Sequence, residues 1–387
     1  MPCTLNTVSS HIIKFVSIIL LIATGYGAMA QSIRIPEIPS ASELGAISKD
    51  DTLTLRVLGD MMMHQQQITA AATKEDSCNF DSYFTHIQKY LDSSDLNIAN
   101  MEFTLAGKPH TGYPTFSAPD EYARHIADCG IDIFLTANNH IYDKGGKGLS
   151  RTLDIYRELQ KKSDIRFTGS ASDQTEFEST TPLVIEVKDV KIALINATYG
   201  TNLGTDRHWP KTNYLNNRTM MENALKVAEA QADITIVLPH WGEEYQLRHN
   251  HDQAEKAKWL AENGADIIIG SHPHVVQDAE SIVIDGRKIP VAYSLGNVIS
   301  NMSAANTQTG LMATVKIIRK INGSVEVLPL EFTYLWCSRP GGYCNSYTIL
   351  PLKEFLGSRE EWYGKWEYDK MATTYTRVAE KTGIKEN

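Results

Sequence analysis

The chain has 387 residues, of which 42% are hydrophobic and 21% charged, enough for one large globular domain or two ordinary ones. Its formal net charge is −9, and no stripe of lysine and arginine is visible along the sequence. Because nucleic-acid binding requires clustered cations that neutralise phosphates, this balance argues against a nucleic-acid-binding protein.

The first 30 residues predict an export signal. Lys14 precedes a compact apolar run, and Ala28, Met29 and Ala30 form a small-x-small cleavage site. The apolar run is shorter than the roughly 20 residues that a membrane-spanning helix needs. We therefore expect cleavage after Ala30 and a periplasmic or extracellular protein, the alternative being a membrane anchor formed by an uncleaved N-terminal segment. Residues 31–51, with their prolines and serines, predict a linker.

Short apolar runs alternate with helical patterns over residues 52–335, which we interpret as one domain. The predicted strands cover residues 53–58, 96–99, 132–136, 234–238 and 265–269, and the predicted helices cover residues 80–91, 120–129, 148–161, 218–232 and 252–263. This alternation is typical of an α/β protein whose buried strands are covered by helices on both faces. Loops beyond the carboxyl ends of such strands meet in one crevice, so side chains far apart in sequence can form one site.

Acidic side chains follow the first two predicted strands. Asp60 stands behind a strand and a glycine, and Glu102 comes at the end of the second strand. Carboxylates bind divalent cations, although an Asp after Gly is more often a turn or a helix N-cap, and surface glutamates are common. His64 could add an imidazole ligand, with an exposed or core histidine as the equal alternative.

The third predicted strand leads into a more specific polar cluster, Asn138, Asn139 and His140. Asparagine is a poor strand residue, so two in succession before a histidine make little sense as packing. An amide oxygen that binds a metal and a histidine that donates a proton explain the cluster. Asp143 could hydrogen-bond His140 and fix its tautomer.

Three further histidines follow the fourth and fifth predicted strands. His240 comes directly behind an apolar run, with Glu244 near enough in sequence to orient it. His272 and His274 are separated by one residue after a hydrophobic strand, so each can face a different metal ion. These clusters together predict a two-metal hydrolase site at one edge of the sheet.

The order of these motifs resembles that of the CapA family, the poly-γ-glutamate capsule biosynthesis proteins. The resemblance rests on Gly59-Asp60, Asn100-Met101-Glu102, Ala137-Asn138-Asn139-His140 with Asp143, His240-Trp241-Gly242 with Glu244, Gly270-Ser271-His272-Pro273-His274 and Ser294-Leu295-Gly296-Asn297. That family is similar to the calcineurin-like metallophosphoesterases. The resemblance therefore implies an α/β fold, namely an α+β four-layer sandwich of two mixed β-sheets flanked by helices, from about Leu53 to Asn301.

The resemblance also implies a ligand set for two divalent metal ions, with manganese, iron or zinc all suited to such ligands. Carried over from the phosphoesterases, one ion would be held by Asp60 and His274, the other by Asn139, His240 and His272, with Glu102 in the bridging position. His140 would protonate the leaving group. In the first motif the phosphoesterases usually have Asp-x-His, whereas Asp60 is followed by two methionines. Either His64 replaces that imidazole or the first metal site has fewer ligands.

Export affects the interpretation of the cysteines. Cleavage would remove Cys3 and leave Cys78, Cys129, Cys337 and Cys344, an even number in an oxidising compartment. We expect a Cys337–Cys344 bridge within a C-terminal extension, residues 336–387, and a second bridge between Cys78 and Cys129. Four reduced thiols are the alternative.

Three functions remain open at this level. The first is an exported CapA-like capsule biosynthesis protein that hydrolyses an envelope or capsule polymer. The second is a periplasmic metallophosphoesterase, and the third is a non-catalytic capsule assembly factor. An anionic polymer or oligopeptide is the expected substrate class and the envelope or capsule assembly machinery an expected partner. Cations at the crevice rim would then help to bind the substrate, and the sequence offers Lys144, Lys147, Arg248 and His249.

Overall fold

The computed structural model describes residues 50–75, 77–204 and 208–386. The predicted export signal and nearly all of the predicted linker lie outside these stretches. Within them, no helix is both long enough and apolar enough to cross a membrane.

Seventeen β-strands form three sheets in the described part of the chain. The strands are β1 (Asp51–Met61), β2 (Leu96–Met101), β3 (Ile133–Leu135), β4 (Arg166–Thr168), β5 (Ser170–Ala171), β6 (Leu183–Val187), β7 (Val190–Thr198), β8 (Lys211–Thr212), β9 (Ile234–His240), β10 (Ile267–Ile269), β11 (Ala279–Ile284), β12 (Arg287–Ala292), β13 (Asn297–Ile299), β14 (Thr309–Arg319), β15 (Val325–Val327), β16 (Glu331–Ser338) and β17 (Thr348–Pro351).

The helices of the described residues lie mainly between these strands. They are α1 (Gln65–Ala71), α2 (Gln88–Leu91), α3 (Asp120–Asp128), α4 (Gly145–Gln160), α5 (Gln174–Thr180), α6 (Arg218–Gln231), α7 (His251–Glu262), α8 (Leu352–Phe355) and α9 (Lys365–Thr382). Local sequence explains their ends: α7, for example, begins with a capping box in which Asn250 and Gln253 bond each other's backbone N–H groups.

Two mixed sheets form the centre of the fold. The nine-stranded sheet has the order β17-β16-β14-β1-β2-β3-β4, with β13 paired to β1 and β15 to β14. Strands β1 to β4 are parallel, whereas β14 runs antiparallel to β1. The six-stranded sheet has the order β11-β12-β10-β9-β7-β6, with parallel pairing from β12 to β7. The parallel strands of each sheet therefore deliver their carboxyl ends to a common edge.

Three apolar cores separate the layers. Between the sheets, Leu55 and Ile98 from the first sheet share one core with side chains from the second, among them Ile192 and Ile236. Helices α3 and α4 cover the outer face of the first sheet, and α6 and α7 cover the outer face of the second. The predicted four-layer arrangement of two mixed sheets flanked by helices is confirmed.

One predicted helix is mostly irregular. Residues 80–91 were expected to be helical, but only Gln88–Leu91 form α2. The backbone before it bonds elsewhere: the carbonyl of Tyr83 accepts from the N–H of Ile349 in β17 at 2.9 Å. Phe80, Tyr83 and Phe84 are buried in the core beneath the first sheet, so tertiary packing overrides the local helical pattern.

Neither predicted disulfide forms, since no cysteine of the described ranges is bonded to another. The Sγ atom of Cys337 lies 3.3 Å from the carbonyl oxygen of Ser300, and that of Cys344 lies 3.4 Å from the carbonyl oxygen of Ser346. Instead of a separate disulfide loop, the chain after residue 336 completes β16 and adds β17 to the edge of the nine-stranded sheet.

Candidate metal centre

Asp60 lies at the end of β1, where two backbones approach more closely than a side chain would allow. A Cβ atom on Gly59 would lie 1.9 Å from the carbonyl oxygen of Gly296. The N–H of Asp60 donates to that same oxygen at 2.9 Å. A glycine is therefore required before the carboxylate, and the contact fixes Asp60 beside Asn297.

The carboxylate of Asp60 is fully buried and receives directed hydrogen bonds. The side-chain amide of Asn100, at the end of β2, donates to Oδ1 at 2.7 Å. The backbone N–H of His272 donates to Oδ2 at 3.2 Å. Nδ1 of His274 lies 3.5 Å from Oδ2, so both histidines of the loop after β10 reach the end of β1.

The loop after β10 has an unusual backbone. His272 and His274 have φ angles of 101° and 57°, in the left-handed region that residues with a Cβ rarely adopt. Their ring centroids are 5.9 Å apart, and His274 is held by a contact of 3.0 Å between its Nδ1 and Oδ1 of Asn297. Backbone strain of this kind is concentrated at functional sites, where surrounding structure holds it in place.

Glu102 lies between the histidines. Its Oε1 is 3.7 Å from Nε2 of His240 and 3.7 Å from Nε2 of His274. Both carboxylate oxygens are buried without a hydrogen-bond partner among the described residues. Two groups of potential ligand atoms share this carboxylate, one formed with His272 and His274 and the other with Asp60 and His240.

The electrostatics of the cluster favour a bound cation. Burial, followed by repulsion from Asp60 and Glu244, raises the pKa of Glu102 well above its ordinary value. Burial and the neighbouring histidines lower the pKa of His240 and of His272 far below the ordinary value, so both imidazoles are neutral near pH 7. Neutral imidazoles and unpartnered carboxylate oxygens are the atoms that borderline divalent metals bind. The residues present therefore fit a divalent metal centre.

His240 is oriented by residues that follow other strands. Its Nε2 contacts Oδ1 of Asn139 at 2.7 Å, and its Nδ1 lies 3.0 Å from Oγ of Ser271. The sequence suggested Glu244 as the orienting partner, but that residue is exposed in the wall of the cleft. The expectation for Glu244 is wrong because the chain turns outward after β9, at Gly242 with φ 95°.

His140 and Asp143 form a buried pair at the side of the cluster. Nδ1 of His140 lies 2.7 Å from Oδ2 of Asp143, which also accepts the backbone N–H of Phe116 at 2.7 Å. The carboxylate therefore holds the proton on Nδ1 and directs Nε2 toward the cleft. The side-chain amide of Asn202 lies 3.4 Å from that Nε2.

Among the described histidines and carboxylates that were predicted as ligands, His64 alone lies outside both groups of ligand atoms. It caps α1, and its Nδ1 accepts the backbone N–H of Asn301 at 3.2 Å. Burial lowers the pKa of His64 to about 4, and its Nδ1 also lies 3.3 Å from Oε1 of Gln67, so other residues of the chain already contact this nitrogen. The six other predicted ligands converge, namely Asp60, Glu102, Asn139, His240, His272 and His274.

A cleft of about 980 Å³ opens beside the cluster. Its walls include His140, Asp143 and His274 from the predicted site, and also Arg339, which the sequence analysis missed. Arg339 directly follows β16, so the same pattern of a polar residue behind a strand could have identified it. The other missed partners, Ser271 and Asn297, lie within motifs that the sequence does show.

Comparison with known proteins shows which family this chain resembles. A profile of the bacterial capsule synthesis protein family PGA_cap matches residues 54–302. The capsule biosynthesis protein CapA of Bacillus anthracis is 26% identical over 297 residues, which are 73% of this chain and 68% of that protein. The PGA biosynthesis protein CapA of Bacillus subtilis (strain 168) is 26% identical over 293 residues, 73% of this chain and 72% of that one.

Among solved structures, an NAD nucleotidase of Haemophilus influenzae is similar, with 14% identity and a TM-score of 0.46 over 86% of this chain and 68% of that one. The family match extends over more than half of the sequence and contains all six converging ligands. The resemblance to the CapA proteins is thereby confirmed, and the chain belongs to the PGA_cap family of bacterial capsule synthesis proteins.

Proposed function

We propose that this protein is a metal-dependent hydrolase that acts outside the cytoplasm on a capsule or envelope polymer. The observation that carries the proposal is Glu102, a carboxylate buried without a partner among the described residues and shared by two groups of ligand atoms. The names of the two relatives, capsule biosynthesis and PGA biosynthesis proteins, support a capsule polymer as the substrate. The export signal predicted from residues 1–30 supports a periplasmic or extracellular location.

Different residues of the chain would bind the metal ions and donate the proton. Glu102, Asp60 and the three clustered histidines, with Asn139, would hold two divalent cations. When bound, such cations lower the pKa of water and neutralise oxygen charge in the transition state. With both ring nitrogens protonated, His140 donates the proton on Nε2 to the leaving atom, while Asp143 accepts from Nδ1–H and keeps the ring oriented.

Elemental analysis combined with a hydrolysis panel tests this proposal. We expect two Mn²⁺, Fe²⁺ or Zn²⁺ ions per chain, and metal-dependent cleavage of γ-glutamyl amides in preference to p-nitrophenyl phosphate esters. Turnover of the phosphate esters alone would identify a phosphoesterase. Fewer than one ion per chain and no turnover would indicate a non-catalytic assembly factor.

Two histidine variants separate metal binding from proton donation. His272→Ala should lose both metal and activity, because it removes a ligand. His140→Ala should retain the metal and lower kcat by roughly 10²–10⁴, the usual contribution of a general acid. His251→Ala is the matched control, since that side chain is 86% exposed on α7, and it should change neither quantity. A His140→Ala protein with normal kcat would contradict the assigned role.

A further inference from the structure

One cationic side chain in the wall of the cleft has no role in the proposed hydrolysis. Arg339 follows β16 and lines the cleft together with His140 and His274. It lies beyond residue 302, where the family match ends. The described residues that line the cleft include no other arginine and no lysine.

The guanidinium of Arg339 is held in place but incompletely paired. Nη2 donates to the carbonyl oxygen of Met302, whereas Nε is buried without a hydrogen-bond partner among the described residues. No described carboxylate forms an ion pair with this side chain; Glu367 accepts only its backbone N–H, at 3.2 Å. A buried donor without a partner is costly and calls for an explanation, and the guanidinium as a whole lines the cleft.

The charge distribution of the cleft indicates what that partner is. Of the acidic side chains in the cleft wall, Asp143 is paired with His140, and Glu244 lies near enough to Glu102 to repel it. Arg339 is on the side formed by Asn301, Met302 and Ser303, which carries no acidic group. A guanidinium there presents a planar fork of N–H donors that matches a carboxylate better than a lysine would.

We propose that Arg339 binds a carboxylate of the substrate and makes the cleft selective for chains that carry free carboxylates. This inference rests on the proposed function, because it names the substrate group that the hydrolytic site receives. Arg339 is thereby a binding residue that acts on affinity, and the proton transfer by His140 does not depend on it.

Equilibrium binding tests the assignment independently of turnover. The probes are a fluorescein-labelled γ-glutamate pentamer and a copy in which every α-carboxylate is a carboxamide. Fluorescence anisotropy is measured with the Mn²⁺-loaded full chain in the His140→Ala background, where the probe is consumed slowly. Arg339→Met should weaken binding of the acidic pentamer about ten- to a hundredfold, the usual effect of losing a charge-assisted hydrogen bond, and leave the carboxamide copy unchanged.

Arg287→Met is the matched control. Arg287 is an arginine on β12 outside the cleft lining, 2.8 Å from Asp266, and its replacement should leave both affinities unchanged. If Arg339→Met does not fold, Arg339→Lys is tested instead. This variant retains the positive charge but lacks the planar N–H donors of the guanidinium. Its preference for the acidic probe over the carboxamide probe should fall severalfold. Unchanged affinity for the acidic pentamer, or an equal loss for both probes, would overturn the assignment.

The two proposals can fail separately. Arg339-dependent binding of the acidic pentamer without cleavage of any γ-glutamyl bond by the wild-type protein would refute the hydrolase and support the binding role of Arg339. Cleavage of γ-glutamyl bonds with the same KM in wild type and Arg339→Met would support the hydrolase and refute that role.

Discussion

Two glutamates in different regions of the molecule are equally buried and differ in their surroundings. Glu102, in the metal centre, and Glu367, on α9, both have 0% exposure. The carboxylate of Glu367 accepts from Ser338 Oγ at 2.9 Å, from Gln308 Nε2 at 3.0 Å and from the N–H of Arg339 at 3.2 Å. Glu102 has no hydrogen-bond donor among the described residues.

The difference shows how a structural carboxylate is distinguished from one that awaits a ligand. Burial raises the pKa of both groups, but hydrogen bonds to Glu367 oppose the effect, whereas repulsion from Asp60 and Glu244 adds to it at Glu102. A buried charge is tolerated when donors or a metal compensate it. Hydrogen-bond donors within the chain compensate the charge of Glu367, whereas the charge of Glu102 requires a bound cation.

The largest expected effect is on metal binding. Glu102→Gln removes the carboxylate shared by both ligand groups, so metal affinity should fall by more than the about 10–100-fold that losing an outer-shell partner costs. Glu367→Gln should leave metal affinity unchanged. Titration calorimetry with Mn²⁺ measures both. Equal losses in the two variants would mean that the contrast between the glutamates has no functional meaning.

The second effect is a pH dependence of stability in the metal-free protein. Because the pKa of Glu102 is raised by folding, the folded state keeps a proton that the unfolded chain loses above pH 4.5, so stability falls as pH rises from there toward the folded pKa. Glu102→Gln abolishes this loss. Its free energy of unfolding relative to wild type should therefore increase with pH, as urea unfolding in the presence of a chelator will show.

The free energy of unfolding of Glu367→Gln relative to wild type should change less with pH than that of Glu102→Gln. The reason is that three hydrogen bonds to the Glu367 carboxyl oppose the effect of its burial. Parallel curves for wild type and Glu102→Gln would show that Glu102 titrates normally in the folded protein.

The smallest effect concerns the donors around Glu367. Ser338→Ala removes one of its hydrogen bonds and the acceptor for the N–H of Tyr343. The free energy of unfolding should fall by about 1–3 kcal/mol, the cost of buried polar groups left unpaired. Metal affinity should stay unchanged, since the site is elsewhere. A Ser338→Ala protein of wild-type stability in urea would show that these bonds contribute little.

Much of the fold and site was predictable because the relevant signals are local. Apolar runs that end in Asp60, Glu102 and His240 correspond to β1, β2 and β9, and parallel strands bring their ends to one edge. The pairing of His140 with Asp143 followed from their spacing of three residues, and the structure shows that hydrogen bond.

Other features depend on contacts distant in sequence and could not be read locally. His64 has the spacing of a ligand, but Asn301 occupies its Nδ1. Cys337 and Cys344 suggested a bridge, yet Cys337 is a buried residue of β16. That interpretation also concealed Arg339 between them. In the segment predicted as a helix over residues 80–91, residues 81–87 form turns and bends instead, and the carbonyl of Tyr83 bonds β17.

The close approach of Gly59 to the carbonyl oxygen of Gly296 determines which substitutions this chain can accept near the site. Main-chain atoms set the position of the Asp60 backbone, so that position does not depend on which apolar side chains fill the surrounding core. Core residues can then be exchanged extensively without moving the carboxylate. A methyl group at position 59, by contrast, would separate two backbones and displace Asp60 without altering any of the predicted ligands.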